Sequence, residues 1–524
     1  MKFHVTLRCV IAITGWACAD AQTPDKRAPN ILVAVADDWS FGHAGAYGCS
    51  WVKTPAFDRI AKSGILFTRA YTPNAKCSPS RAAMLTGRYP WLLGAAANHN
   101  CIFPPSFQTY PEALEKNGYF VGMTTKGWSP GIALDAAGNP RNMAGKRFDS
   151  QKLVPPTTGI FPNDYAANFA DFLKAAPAAQ PWCFWYGSAE PHRNYEPGSG
   201  IAKGGKKLSD IDRVPGCWPD NPTVRSDMLD YALEVEHFDL QLGRMLDQLA
   251  AAGMLENTII IVTSDNGMPF PRIKGQAYEQ SNHLPLAISW PAGIVQPNRK
   301  ESSFVSLIDL APTILELAGL TPATSGMAPF SGRSLTDLFA AKPTGPPRDH
   351  VLLGRERNDV GRPLDQGYPI RGIIRDQCAY FYNFAPDRWP SGNPETGYMD
   401  SDGSPTKTEV LQSRTTGDTR FWQACFGKRP DQELYNIDKD PDCLENLALI
   451  AEWIPVAHSL KQSLFKKLTT QEDPRMMGHG SDFDSYPYAP ETLRGFYERY
   501  MRGERPATGW IRPTDYETAP IEAN

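Results

Sequence analysis

Four apolar runs, each leading into charged or amide side chains, constrain this 524-residue chain more than any other feature. Asn30-Ile31-Leu32-Val33-Ala34-Val35-Ala36 runs into Asp37-Asp38, and Tyr119-Phe120-Val121-Gly122-Met123 runs on to Lys126. Trp182-Cys183-Phe184-Trp185-Tyr186 leads to Glu190-Pro191-His192-Arg193, and Thr258-Ile259-Ile260-Ile261-Val262 to Ser264-Asp265-Asn266-Gly267. Continuous rather than alternating hydrophobicity marks strands covered on both faces, as in a parallel sheet. Helices are expected between them. Pro55 to Lys62 carries Pro at an early position, and Tyr110 to Asn117 stops at Gly118. A long helix from about Ser226 to Ala252 spaces Leu229, Leu233, Leu240, Leu242, Leu246 and Leu249 for one face. Strand alternating with helix gives an α/β, doubly wound sheet. Ligands of such sheets bind beyond the carboxyl ends of the strands, where all four runs deliver their polar residues.

The bulk numbers exclude several function classes. Net charge is −4, with no Lys/Arg block, so nucleic acid, which needs a concentrated basic surface, is not an expected partner. No later run of about twenty apolar residues exists to span a membrane. The N-terminus reads as a signal peptide over residues 1–21: Lys2 and Arg8, a short apolar stretch from Cys9 to Ala19, then Ala19-Asp20-Ala21 as the cleavage site. Secretion or export to a periplasm is the expectation, with a lipoprotein anchored at Cys18 as the alternative. Eight cysteines lie beyond this segment, and in an oxidising compartment they can pair. They form no CxxC pair, which argues against structural zinc, and their pairing is not legible.

A catalytic domain is expected over 22–345, closed by the Pro-rich stretch from Lys342 to Arg348. A smaller domain over 346–472 contains Ile370-Arg371-Gly372-Ile373-Ile374-Arg375 and Ala379-Tyr380-Phe381-Tyr382-Asn383, which read as antiparallel strands, and a helix from Ile454 to Leu468. Residues 473–524 form a tail rich in Pro, Gly and Tyr.

Between the first two runs lies Cys77-Ser78-Pro79-Ser80-Arg81, followed by Ala82-Ala83-Met84-Leu85-Thr86-Gly87-Arg88. Pro79 sits near the start of a helical run, which puts residue 77 at a helix N-terminus, where dipole and free N–H groups favour an anion. Asp37, Asp38, Asp265 and Asn266 are four hard oxygen donors at strand ends; adjacent carboxylates there repel without a cation, and oxygen donors suit Ca²⁺ or Mg²⁺ rather than zinc. Taken singly, such pairs are commonly turn caps. Two of them in one chain point to a metal.

The Cys-x-Pro-x-Arg run resembles the signature of the formylglycine sulfatases, in which the cysteine is oxidised to an aldehyde (3-oxoalanine). The resemblance covers roughly residues 28–470. It implies an alkaline-phosphatase-like fold, with a large mixed, mostly parallel sheet sandwiched by helices and a smaller C-terminal α+β domain carrying an antiparallel sheet. It also implies a formylglycine-generating maturation enzyme as partner. One hydroxyl of the hydrated aldehyde attacks sulfur, and the second lets the sulfated intermediate collapse. By resemblance, Cys77 joins Asp37, Asp38, Asp265 and Asn266 as calcium ligands, and Arg81 supports the aldehyde hydrate. Lys126 and Lys274 clamp the sulfate, and His192 protonates the leaving group. Where the family shows Gly-Lys-x-His, this chain has Thr125-Lys126-Gly127-Trp128, so Trp128 replaces a histidine and cannot act as a base.

Glu190-Pro191-His192-Arg193, the run from Ser264 to Pro271, that from Ser306 to Leu315, and Glu433-Leu434-Tyr435-Asn436-Ile437 are similar to the heparan N-sulfatase (sulfamidase) branch. The expected substrate is a sulfated saccharide, with Arg193, Trp128, His99 and Arg371 as candidate contacts. Alternatives within this reading are an N-sulfoglucosamine sulfamidase, a phosphodiesterase or phosphonate hydrolase of the same superfamily, and a non-catalytic sulfated-glycan binder. Sugar, sulfate position and oligomeric state are not legible.

Overall fold

The four apolar runs are neighbouring parallel strands at the centre of one sheet. In a computed structural model that describes residues 1, 28–341 and 343–517, the main sheet comprises β1 (Asn30–Ala36), β2 (Ile65–Tyr71), β3 (Phe120–Thr125), β4 (Lys146–Arg147), β5 (Trp182–Gly187), β6 (Thr258–Ser264), β7 (His283–Ser289), β8 (Arg299–Glu301) and β9 (Val305–Ser306). Its order is β8-β2-β7-β6-β1-β5-β3-β4, with β9 also on β2. All pairings are parallel except those of β7 with β2 and β6. Apart from Met1, the expected signal segment lies outside the described residues.

Both faces of β1 are sealed, which is why its sequence is apolar throughout. Leu32, Ala34 and Ala36 pack with α1 (Pro55–Ser63), α4 (Tyr165–Ala175) and α5 (Pro222–Ala251), through Phe57, Phe169, Val235 and Phe238. Ile31, Val33 and Val35 face the opposite layer, where α2 (Cys77–Thr86), α3 (Tyr110–Lys116) and α6 (Leu310–Leu317) contribute Ala82, Leu85, Leu114 and Ile314. The long helix starts four residues earlier than its leucines suggest, because Asn221 caps it by accepting from Val224 N at 3.0 Å and Pro222 follows.

A second sheet is antiparallel throughout, in the order β10 (His350–Arg355), β11 (Ile370–Arg375), β12 (Cys378–Asn383) and β13 (Gln432–Asn436). Helix α7 (Ile454–Thr470) covers one face through Leu460, Leu464 and Leu468. The eight cysteines among the described residues are free thiols. No helix among the described residues is long and apolar enough to cross a membrane.

Candidate active site

The carboxyl edge of the main sheet is where the sheet stops behaving regularly. The chain leaves β1 through Asp38 at φ 78° and leaves β3 through Thr125 at φ 57°, both in the left-handed region that non-glycine residues avoid. Thr125 is held there by Asp149 Oδ1, which accepts from its backbone N–H at 2.9 Å. Gly187, at the end of β5, lets Lys126 approach, since a Cβ on it would lie 1.8 Å from the Lys126 carbonyl oxygen. These bends turn Asp37, Asp38 and Lys126 inward over the start of α2.

Cys77 is the first residue of α2 and is buried, its Sγ 3.5 Å from Asp37 Oδ1 and 4.0 Å from Asp38 Oδ1. Burial pushes its thiol well above the ordinary cysteine range, so as a cysteine it is a poor nucleophile. Arg81, one turn along α2, donates through Nε to Asp265 Oδ2 at 2.7 Å and through Nη1 to the carbonyls of Lys126 and Gly127. Lys126 Nζ donates to Asp37 Oδ2 at 2.5 Å, and Lys274 Nζ to Asp38 Oδ2 at 2.7 Å. Each of the two carboxylates nearest Cys77 Sγ is thus paired with a lysine.

Asp37, Asp38, Asp265 and Asn266 converge as the sequence suggests. Asn266 Nδ2 donates to Asp38 Oδ1 at 2.7 Å, and the Asp38 backbone N–H donates to Asp265 Oδ1 at 3.1 Å. Burial raises the Asp37 carboxyl, but Lys126, with His192 and Arg81, outweighs it and holds that group at about 2. Burial carries Asp265 upward against the pull of Arg81, with Asp37 adding to the rise. Carboxylates this close, with Asn266 Oδ1 buried and lacking a hydrogen-bond partner among the described residues, fit a hard divalent cation. Asp37, Cys77 and Asp265 place one potential ligand atom each within 4.8 Å of one another.

His192 reaches the same space. Its Nδ1 lies 2.6 Å from the Arg193 carbonyl and its Nε2 4.0 Å from Asp38 Oδ2, with the side chain a third exposed. The carbonyl accepts only from a protonated Nδ1, so this contact fixes the tautomer and leaves Nε2 facing the site.

The other candidates are placed differently from expectation. Arg193 is not open to a substrate: its guanidinium makes two bonds to Asp227, at 2.7 and 2.8 Å, and lies between the rings of Tyr195 and Phe270 at 4.4 and 4.3 Å. Arg371 is fully enclosed in the second sheet, where it pairs with Asp473 at 2.6 Å and Glu356 at 2.8 Å. Both arginines are spent on internal carboxylates, because a buried guanidinium has to be paired. Trp128 donates its indole N–H to the Ser78 carbonyl at 2.9 Å and sets its ring edge against Phe103. It thereby clamps the first turn of α2. His99 is buried with Nδ1 2.9 Å from Asp359 Oδ1.

Lys76, Asp227, Asp359 and Asp402 were not singled out by the sequence. Lys76 adjoins Cys77 and pairs with Asp359 at 2.6 Å, while Asp402 takes Lys274 at 3.0 Å. Lys76 could have been suspected from its neighbour. Nothing in the chain order links Asp402 or Asp359 to the first 280 residues.

Residues 29–320, more than half of the chain, match the family model described as Sulfatase. The chain belongs to the sulfatase family. Its members are hydrolases of sulfuric esters, and the carboxyl-edge cluster is the sulfatase's candidate active site. The chain is 26% identical over 495 residues to human N-sulphoglucosamine sulphohydrolase, covering 86% of this chain and 91% of that protein. It is also 26% identical over 496 residues to an ulvan-active sulfatase of Formosa agariphila, covering 88% of this chain and 78% of that one. A solved structure of a protein in complex with its substrate D-glucosamine-2-N,6-O-disulfate superposes with a TM-score of 0.58 at 19% identity, covering 85% of this chain and 98% of that one. That likeness bears on the fold, which is the expected alkaline-phosphatase-like sheet with a smaller antiparallel one.

Proposed function

We propose that this sulfatase removes sulfate from a sulfated carbohydrate, using residue 77 as a formylglycine nucleophile. One observation carries the reading. Cys77 stands at a helix N-terminus with a thiol too basic to react as thiolate, yet Lys126, Lys274, Arg81 and His192 are arranged around it for an anion. That arrangement makes sense if the thiol is a precursor. A formylglycine-generating maturation enzyme is then a necessary partner, and an exported protein, secreted or periplasmic, fits the leader-like N-terminus.

Asp37, Asp38, Asp265 and Asn266, together with residue 77, would hold Ca²⁺, or Mg²⁺ in a tighter shell. When bound, the ion supplies positive charge for sulfate oxygens. The chain's own residues do the rest. Lys126 and Lys274 exchange their carboxylate partners for sulfate oxygens, and both stay protonated: burial opposes this, but Asp37 beside Lys126 and Asp38 beside Lys274 outweigh it. His192, its Nδ1–H held by the Arg193 carbonyl, donates the Nε2 proton of its imidazolium form to the leaving oxygen or nitrogen and is left as the neutral Nδ1–H tautomer. Arg81 ties Asp265 to the loop carrying Lys126.

The carbohydrate class follows from the relatives: one is named for N-sulphoglucosamine and another for ulvan. Sulfate release should be measured from N-sulfoglucosamine, O-sulfated glucosamine and ulvan oligosaccharides, with protein whose residue 77 is formylglycine by peptide mass spectrometry. Release from at least one is expected, and Cys77→Ala should lose it by more than about 10³-fold. Turnover by Cys77→Ala at the wild-type rate would sink the nucleophile assignment. Hydrolysis of N-sulfoglucosamine alone would narrow the reading to a sulfamidase.

A further inference from the structure

Part of the wall of this site comes from loops of the second sheet, which bring Asp359 to Lys76 and Asp402 to Lys274. Asp402, only 6% exposed, places a carboxylate oxygen within 4.8 Å of both an Asp38 oxygen and a His192 ring nitrogen, so it borders the space where the leaving group must lie. Burial opposes its ionisation, but Lys274, Lys76 and His192 overcome that and hold it well below the usual carboxylate range. Asp359 is ionised in the same way: burial is outweighed by Lys76 and His99.

Two further acceptors, beside Asp359, lack partners among the described residues. With Nδ1 turned to Asp359, His99 leaves Nε2 buried and unpartnered among the described residues. Asn358 donates its amide nitrogen to the carbonyl of Gly275, next to Lys274, at 2.9 Å, and leaves Oδ1 buried and equally unpartnered. Buried acceptors without donors are costly and rare, and a bound group that brings donors relieves them. The cations nearby leave nothing for a second anion, since Lys274 is the one the scissile sulfate takes. Lys76 is engaged by Asp359, and Lys274 by Asp38 and Asp402.

We propose that Asp402, with His99 and Asn358, forms a donor-reading subsite that accepts a ring hydroxyl beside the scissile sulfate and excludes a second sulfate at that carbon. This rests on the carbohydrate reading above. A neutral hydroxyl donates its one hydrogen to the carboxylate and a neighbouring hydroxyl fills an orphaned acceptor, whereas an added sulfate brings negative charge against Asp402 and Asp359 where Lys76 and Lys274 are already taken.

The test is the ratio of kcat/KM within matched pairs: N-sulfoglucosamine against its 3-O-sulfated form, and glucosamine 6-O-sulfate against its 4-O-sulfated form. Wild type should prefer the singly sulfated sugar by about tenfold or more in whichever pair it hydrolyses, and Asp402→Asn should shrink that preference severalfold by improving the disulfated sugar. His99→Gln should raise KM for the singly sulfated sugar while leaving kcat nearly unchanged. If Asp402 serves only to hold Lys274, both sugars fall together and the ratio stays fixed, which overturns the subsite. A wild type without preference, or one favouring the disulfated sugar, overturns it too. No sulfate release from any sugar overturns the carbohydrate reading and the subsite with it.

Discussion

His192 depends on a backbone oxygen, and that oxygen depends on the side chain beneath it. The Arg193 carbonyl receives Nδ1–H only while Arg193 is pinned, by two bonds to Asp227, one to the Pro269 carbonyl at 2.8 Å, and two flanking rings. Asp227 also accepts from Thr406 Oγ1 at 2.6 Å, which ties the device to the loop carrying Asp402. Asp227→Asn should therefore lower kcat about tenfold or more while KM changes little, as loss of a ligand-orienting contact typically does. A kcat that holds while Tm falls would show that the pair serves stability alone. At this scale the motif brings His192 to the site and does not reveal that Arg193 is consumed by Asp227. An arginine beside a catalytic histidine looks available in a sequence, because the carboxylate that consumes it lies 34 residues away.

Among the elements, strand identity was legible for the four parallel strands covered on both faces, but not for β7, equally buried, whose apolar run is interrupted by Pro285. β1, β3, β5 and β6 announce themselves as unbroken apolar runs, and the observed strands match those runs to within two residues at either end. β2, Ile65–Tyr71, was missed because Thr68 and Arg69 interrupt it where it is half-exposed. The two-residue edge strand β4 has no pattern to read. The long helix was legible in its middle and not at its start, because the leucine periodicity begins one turn inside the cap. Asn221→Ala should cost about 1 kcal/mol by exposing the Val224 N–H. For a chain this large that is a fall in Tm of no more than about 2–4 °C. A fall of ten degrees would mean that the Asn221 bond to Glu409, at 2.7 Å, matters more than the cap.

For the whole molecule, the second sheet and the segment after α7 are locked by buried charge. Arg371 reaches Asp473 just past α7 and Glu356 just past β10, and Glu356 also holds Arg475. Replacing Asp473 by Ala leaves Arg371 buried with one carboxylate of its two. The cost should be about 3 kcal/mol, the low end for a broken buried pair because Glu356 remains. Denaturant unfolding would check this. A change under about 0.5 kcal/mol would show that water reaches the guanidinium. The same loops carry Glu356, Asn358 and Asp359, so the lock and the acceptor wall are neighbours on one stretch of chain.

Local rules were enough to read the central strands, the helix that begins at Cys77 and the carboxyl edge where Asp37, Asp38, Lys126, His192, Asp265 and Asn266 gather. A strand buried on both faces must be apolar throughout, and a parallel sheet presents all its carboxyl ends at one edge. Tertiary structure alone decided which charges are free. Arg193 and Arg371 became framework once Asp227 and Asp473 folded onto them, while Asp402, Asp359 and Lys76 became part of the site's wall. Ion pairing depends on distance in space, and the partners that consume or expose each of these groups lie tens to hundreds of residues away along the chain.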